Sequence, residues 1–232
     1  MDIKHKVLKD SFGHNNFREF QEEGVDAILE GRDLLMILPT GGGKSLVFQL
    51  PSLIKDGVSI VISPLIALMQ DQVSALKAQN IPADMISSAQ SQDEIEEILY
   101  QLRMKTLKFL YLSPERLNTQ WTYDLLNTLD INFFVVDEAH CISQWGHEFR
   151  DNYRALGNLK HNFPNISICA FTATSTDNVT HDIMSELKLN NPLLLRGKIF
   201  RKNLFISAER RISNGYPQLQ NFLSRHTDDI GL

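Results

Sequence analysis

Short apolar runs alternate along the chain with segments of helical period. Leu34 to Leu38, Val58 to Ile62, Phe109 to Leu112, Phe133 to Val136 and Ser167 to Phe171 carry no charged residue. Uncharged runs this short predict strands covered on both faces. Each is followed by polar turn residues and then by helical periodicity. Leu65, Leu68, Met69, Val73 and Leu76 form one helical stripe; Ile95, Ile98, Leu99 and Leu102 form another. The second opens on Ser91 with Glu94 three positions later, the signature of a capping box. Strand–helix alternation of this kind predicts an α/β domain with a mainly parallel central sheet and helices on both faces.

Composition narrows the picture. Of 232 residues, 43% are hydrophobic and 22% charged, which suits a folded chain and not a disordered one. The length suits one large domain, or one domain with an appendage. Residues 1–208 read as the main domain. Arg210 to Gly215 reads as an exit from it, followed by a short helical pattern (Leu219, Phe222, Leu223) and the beginning of a strand at Ile230. On this division residues 209–232 are a linker and the start of a second unit.

The net charge is −5, so a basic coat over the whole surface is excluded, while a local basic face is not. Asp84 to Glu97 holds five acidic and no basic side chains, which reads as a solvated surface. Lys188 to Arg211 holds seven basic ones against Glu209 alone. The two cysteines, Cys141 and Cys169, make no disulfide framework and read as small apolar fillers. Met1 to Asp10 is too charged for a secretory leader, and no apolar run approaches the roughly 18 residues of a membrane span. A reduced, cytoplasmic setting with no membrane partner is expected.

The first run leads into Leu38-Pro39-Thr40-Gly41-Gly42-Gly43-Lys44-Ser45, then a helical segment to Leu50. The strict phosphate-loop pattern has Gly where Leu38 stands, but the chemistry is kept. Glycines let the backbone curl so that its N–H groups point at phosphate oxygens. The helix behind adds unpaired N–H groups and the positive end of its dipole. Lys44 is suited to the β- and γ-phosphates of a nucleotide, and Ser45 to Mg2+. The bland reading, a glycine-rich loop beside a surface lysine, does not explain its place between a strand and a helix.

The fourth run leads directly into Asp137-Glu138-Ala139-His140. Two carboxylates then stand at a strand's C-terminal end, where open α/β sheets bind ligands. Asp137 would hold Mg2+, and Glu138 would orient and deprotonate an attacking water. A zinc site built on His140, Cys141 and His147 fits no common ligand spacing.

These two motifs together resemble superfamily-two helicases. The stretch Asp137 to Arg150 (Asp-Glu-Ala-His-Cys-Ile-Ser-Gln-Trp-Gly-His-Glu-Phe-Arg) is more specific and resembles the RecQ family of DNA helicases. Phe17-Arg18 with Gln21 resembles that family's adenine-reading motif, and Ser63 to Gln72 its next DNA-facing block. Ser113 to Leu117, Thr172-Ala173-Thr174 and Arg201-Lys202-Asn203-Leu204 resemble three more. His14 stands where an aromatic ring would stack on adenine, Asp151-Asn152 follow Arg150 where Pro-Asp is frequent, and Lys202 replaces a frequent Pro.

The resemblance implies a RecA-like phosphate-loop domain, the first of two in a helicase motor, with ATP and Mg2+ as cofactors. It implies that His14, Arg18 and Gln21 meet adenine, and that Thr40, Gly41, Gly42, Gly43, Lys44 and Ser45 hold the phosphates. Gln144 and His140 would sense the nucleotide. Ser63, Gln70, Trp145, His147, Phe149 and Arg150 would face single-stranded or forked DNA, and Thr172 and Thr174 would couple hydrolysis to movement. No Gly-Arg-x-Gly-Arg segment supplies the second domain's arginines, so this chain by itself is expected to be weakly active, as a monomer. Two alternatives stay open: a nucleotide-gated single-strand-binding module, and a translocase or RNA helicase of the same superfamily.

Overall fold

The computed structural model describes residues 2–87, 90–145, 150–197 and 207–226. Among these, seven strands lie in one parallel sheet: β1 (Leu34–Ile37), β2 (Val58–Ile62), β3 (Ala83–Ile86), β4 (Phe109–Leu112), β5 (Ile131–Val136), β6 (Ile168–Thr172) and β7 (Leu193–Arg196). Their order is β3-β4-β2-β5-β6-β1-β7, every pair parallel. All strands therefore end at the same edge. There β2, β5, β6 and β1 are successive neighbours, which lines up the turns after Ile62, Val136, Thr172 and Ile37. That row is the expected ligand edge of a parallel sheet.

The helices divide between two faces. Alternate side chains of each strand enter two separate cores, as a period of two requires. Leu34, Met36, Val61, Tyr111 and Val135 pack with Leu8, Val25, Val47 and Met69. These come from α1 (Ile3–Phe12), α2 (Gln21–Leu29), α3 (Lys44–Ile54) and α4 (Ile66–Ala78). Leu35, Ile60, Leu110, Phe134 and Ala170 pack with Ile98, Leu117, Leu126, Leu159 and Ile183. These come from α5 (Gln92–Arg103), α6 (Pro114–Leu117), α7 (Gln120–Asn127), α8 (Leu159–Asn162) and α9 (Asp177–Glu186). A 3-10 turn, Ala139–Ile142, follows β5 directly, and a second, Asp151–Asn158, precedes α8.

The five expected strands are present, within a residue or two of their expected bounds. The two not anticipated, β3 and β7, are the edges of the sheet. An edge strand is paired on one side only, so it tolerates polar positions. β3 carries Asp84, which pairs with Lys77 at 2.8 Å, and β7 ends on Arg196, which reaches Asp177 at 2.7 Å. Asp84 and Arg196 thus belong to the acidic and basic runs, and both have partners within the fold. The capping box of α5 forms as expected: Ser91 Oγ accepts from the Glu94 N–H while Glu94 accepts from the Ser91 N–H at 2.8 Å.

The chain divides into two compact units, Met1–Ile199 and Phe200–Leu232. The first holds the sheet. The described part of the second holds α10 (Tyr216–Ser224), where the short helical pattern at Leu219, Phe222 and Leu223 lies. Gly215 caps it at φ 78°, a conformation that favours glycine. Among the described residues no helix is long and apolar enough to cross a membrane.

Candidate functional site

The glycine loop leaves β1 at the ligand edge. The Leu38 N–H donates to the Thr172 carbonyl at 3.1 Å, which holds the loop's base against β6. The Gly42 N–H then closes a turn onto the Pro39 carbonyl at 2.9 Å. Gly41 and Gly43 have φ near 79° and 78°, in the left-handed region. Gly43 caps α3 without a side-chain cap, so the helix's first N–H groups face the loop. Lys44 Nζ donates to the Leu38 carbonyl at 2.9 Å, folding back across the cradle. Ser45 follows it in the first turn of α3.

A second layer clamps the loop from behind. Gln21 opens α2 and is buried. Its Oε1 accepts from the Arg18 N–H at 2.8 Å, and its Nε2 donates to the Gly43 carbonyl at 3.0 Å. Arg18 Nη1 donates to the Gly41 carbonyl at 3.1 Å. The pair expected at the adenine is thus bonded to the phosphate loop itself. Thr40 is exposed on the loop. His14 is exposed just beyond α1, its N–H bonded to Leu8 at 3.2 Å.

Two strands away, Asp137 extends the β5 pairing: its N–H donates to the Ile62 carbonyl at 2.9 Å. Its side chain is buried. Oδ1 accepts from the Glu138 N–H at 3.0 Å and Oδ2 from Gln72 Nε2 at 3.2 Å. The buried Tyr153 hydroxyl donates to the Asp137 carbonyl at 3.0 Å. Glu138 turns sharply, at φ 47° and ψ 45°. Burial and the neighbouring Glu138 charge push the Asp137 carboxyl above the usual range. A hydrogen bond to His140, with the His140 and Lys44 charges, keeps Glu138 low against its own burial. Burial draws Lys44 down while the Glu138 and Asp137 charges oppose it. Lysine and both acids are therefore one electrostatic unit. The Asp137 and Glu138 carboxylates after β5 and the Ser45 hydroxyl after β1 lie at one edge of the sheet and are oxygen donors of the kind that suits a hard divalent cation.

His140 joins the acids to β6. Its Nδ1 lies 2.9 Å from Thr172 Oγ1 and 3.3 Å from Glu138 Oε2. The Cys141 sulfur and the Glu138 carboxylate hold the imidazole up, at about 10. Thr172 is buried and its hydroxyl donates to the Thr174 carbonyl at 3.1 Å, so it accepts from the imidazolium. The expected coupling residues His140, Thr172 and Thr174 are thus one hydrogen-bonded line.

The residues expected to face single-stranded DNA are less gathered. Gln144 and Trp145 are exposed, Trp145 at 75%. Their root is pinned by Ser143, whose hydroxyl donates to Asp182 of α9 at 2.6 Å and accepts from the Trp145 N–H at 3.1 Å. Arg150 Nη1 donates to the Pro64 carbonyl at 3.0 Å, beside Ser63. Ser63 is buried, its hydroxyl without a partner among the described residues. Gln70 is exposed on α4. His147, Phe149 and the Arg201 to Leu204 block lie outside the described residues. Among the described residues no three His, Cys, Asp or Glu side chains cluster as a metal site.

Sequence reasoning missed Gln72, Tyr111, Tyr153 and the Ser143–Asp182 pair. Gln72 lies inside the Ser63 to Gln72 block and Ser143 inside the Asp137 to Arg150 stretch, so the signal for both was their place in those motifs.

The DEAD/DEAH box helicase family model matches residues 18–183, the span that carries the loop, the acid pair and the His140 line. The chain belongs to the DEAD/DEAH box helicase family. Within that family it is 45% identical, over 88% of its length, to the ATP-dependent DNA helicase RecQ of Pasteurella multocida, covering 32% of that protein. It is 40% identical, over 98% of its length, to the protein of the same name from Synechocystis sp., covering 49% of it. The chain thus spans between about a third and about a half of these two relatives. Among solved structures, the DNA-bound helicase MrfA superposes with a TM-score of 0.66 at 16% identity, over 85% of this chain and 29% of that one. A hypothetical ATP-dependent RNA helicase from Sulfolobus tokodaii gives 0.60 at 18% identity, over 84% and 57%. At these identities the two structures establish the RecA-like helicase fold. The helicase domain read from the motifs, and the resemblance to RecQ helicases, both hold.

Proposed function

We propose that this chain is the ATP-binding half of a DNA helicase motor. On this reading Gly41 to Lys44 cradle the phosphates, Ser45 and Asp137 hold Mg2+, and Glu138 accepts a proton from the attacking water. Bound Mg2+ would supply charge neutralisation at the phosphates. Gln21 and Arg18 connect the loop to adenine recognition, and the His140–Thr172–Thr174 line carries the state of Glu138 to β6. Trp145 would stack on single-stranded DNA, with Arg150 on its backbone. Movement along the strand, 3′ to 5′ as the RecQ resemblance implies, and opening of forked duplexes would need a second RecA-like unit.

The carrying observation is geometric: the curled glycine loop after β1, with Lys44 folded back onto the Leu38 carbonyl at 2.9 Å, opens at the same edge of the parallel sheet as Asp137 and Glu138 after β5. The test is ATP binding and hydrolysis by this chain, with and without single-stranded DNA, using Glu138→Gln as the blank. We expect binding that Lys44→Ala abolishes and weak, Glu138-dependent turnover. An arginine from a second unit typically adds about 10^3–10^5 in such reactions. Processive strand displacement by this chain would refute the need for that unit, and unchanged ATP affinity in Lys44→Ala would refute the site.

A further inference from the structure

Gln72 has no role in the scheme above, yet its amide touches the Asp137 carboxylate. It lies half-buried on α4, two positions beyond Gln70. Its Nε2 donates to Asp137 Oδ2 at 3.2 Å, and its Oε1 accepts from the Tyr111 hydroxyl at 3.1 Å. The orientation of that amide follows from its neighbours. A carboxylate only accepts, so the NH2 end must face Asp137. Tyr111 is fully buried on β4, and burial raises its phenol well above the ordinary value, so the hydroxyl stays a donor. The Gln49 side chain of α3 reaches the same phenol. The helix behind the phosphate loop, the helix that carries Gln70 and the acid at the end of β5 thus meet through one tyrosine and one glutamine. The other oxygen of Asp137 is fixed by the Glu138 N–H. Only together do the two donors set the rotation of the carboxylate.

We propose that Gln72 is a positioning residue: its amide, itself oriented by Tyr111, fixes the Asp137 carboxylate for a divalent cation held beside a bound nucleotide. This rests on the nucleotide reading of the site. Partners that orient a metal-binding side chain typically contribute roughly 10–100-fold to metal affinity. Gln72→Leu keeps the bulk and removes the donor. Tyr111→Phe keeps the ring and frees the amide to turn.

The test measures binding of a fluorescent ADP to the whole chain, first in excess EDTA and then across a MgCl2 series. Thermal melting checks that each variant is folded. We expect Gln72→Leu to raise the half-saturating Mg2+ concentration about tenfold or more while leaving Mg2+-free ADP affinity unchanged. Tyr111→Phe should shift it in the same direction by less. A wild-type Mg2+ response in Gln72→Leu would overturn the proposal, and so would an equal loss of Mg2+-free binding. A wild-type response in Tyr111→Phe would overturn the part given to the tyrosine. If the wild-type chain binds no ADP under either condition, the nucleotide reading falls and this inference falls with it. ADP binding with an unchanged Mg2+ response in Gln72→Leu removes this inference alone.

Discussion

Asp33 stands just before β1, at the edge of the sheet opposite the phosphate loop. It is buried, and its carboxylate is fully engaged: Oδ1 accepts from the Ile168 N–H and from Lys160 Nζ, both at 2.8 Å, and Oδ2 from the Asn190 N–H at 2.7 Å. Its own carbonyl accepts from the Leu193 N–H at 2.9 Å. One residue therefore ties the entry of β1 to β6 and β7. Asp33→Ala leaves two backbone donors without their acceptor and the Lys160 ammonium with the Ile166 carbonyl alone. Removing one partner of a buried pair costs about 3–5 kcal/mol. Urea unfolding should show a loss of that size, and a change below about 1 kcal/mol would mean that water replaces the carboxylate. At the other edge Glu138→Gln keeps the size of the side chain and loses only its basicity. ATP turnover should fall by about 10^2–10^4 with nucleotide affinity retained, because general-base catalysis is worth that much. Loss of both together would instead make Glu138 part of the binding cradle.

The loop and α3 act as an element, and Gly43 is their hinge. Its φ of 78° disfavours any other residue, and an added Cβ would collide with the Gln21 amide. Gly43→Ala should therefore displace Gln21 and strain the loop by about 1–2 kcal/mol. At 1.4 kcal/mol per factor of ten, fluorescent ADP affinity should fall about tenfold as the loop relaxes out of its curl, and strain retained in the folded loop should lower the melting temperature by about 2–4 °C per kcal/mol. An alanine variant that binds as tightly as the parent would show that the loop's curl is not what the nucleotide needs. Elements of this kind were legible in the sequence. The loop lies in one contiguous stretch, as do Asp137 to His140, and the five inner strands announce themselves by two-sided burial. What stayed hidden has a common cause. β3 and β7 are paired on one side only, so Asp84 and Arg196 disguise them as charged surface. Gln72 and Asp137 are 65 positions apart, and Ser143 and Asp182 are 39 apart. Such contacts exist only once β2, β5 and β6 are neighbours, and no local period records them.

The whole molecule depends on β6, which lies between β5 and β1. Cys169, the second residue of β6, is fully buried, its Cα registered with those of Val135 and Leu34. Its neighbours on both sides are strands, so its thiol is expected to report on the integrity of the sheet around it. A thiol-reactive probe at neutral pH should leave Cys169 unlabelled in the native chain and label it at the urea concentration that abolishes the far-ultraviolet signal. Labelling at the rate of a free thiol in native buffer would contradict a closed sheet. The same burial makes a pH prediction. Desolvation, reinforced by the Asp33 charge, raises the thiol far above its ordinary value of 9.0. Below that value the thiol is protonated in both folded and unfolded chains and contributes no pH dependence. Above it the unfolded chain releases a proton that the folded chain keeps, so stability declines by up to about 1.4 kcal/mol per pH unit until the folded thiol also ionises. Cys169→Ala should lower stability at pH 7 through the cavity it leaves. The decline of its unfolding free energy between pH 9 and 10.5 should nevertheless be shallower by that amount. An unchanged slope would show that the thiolate is accommodated, and that the sheet around it admits water.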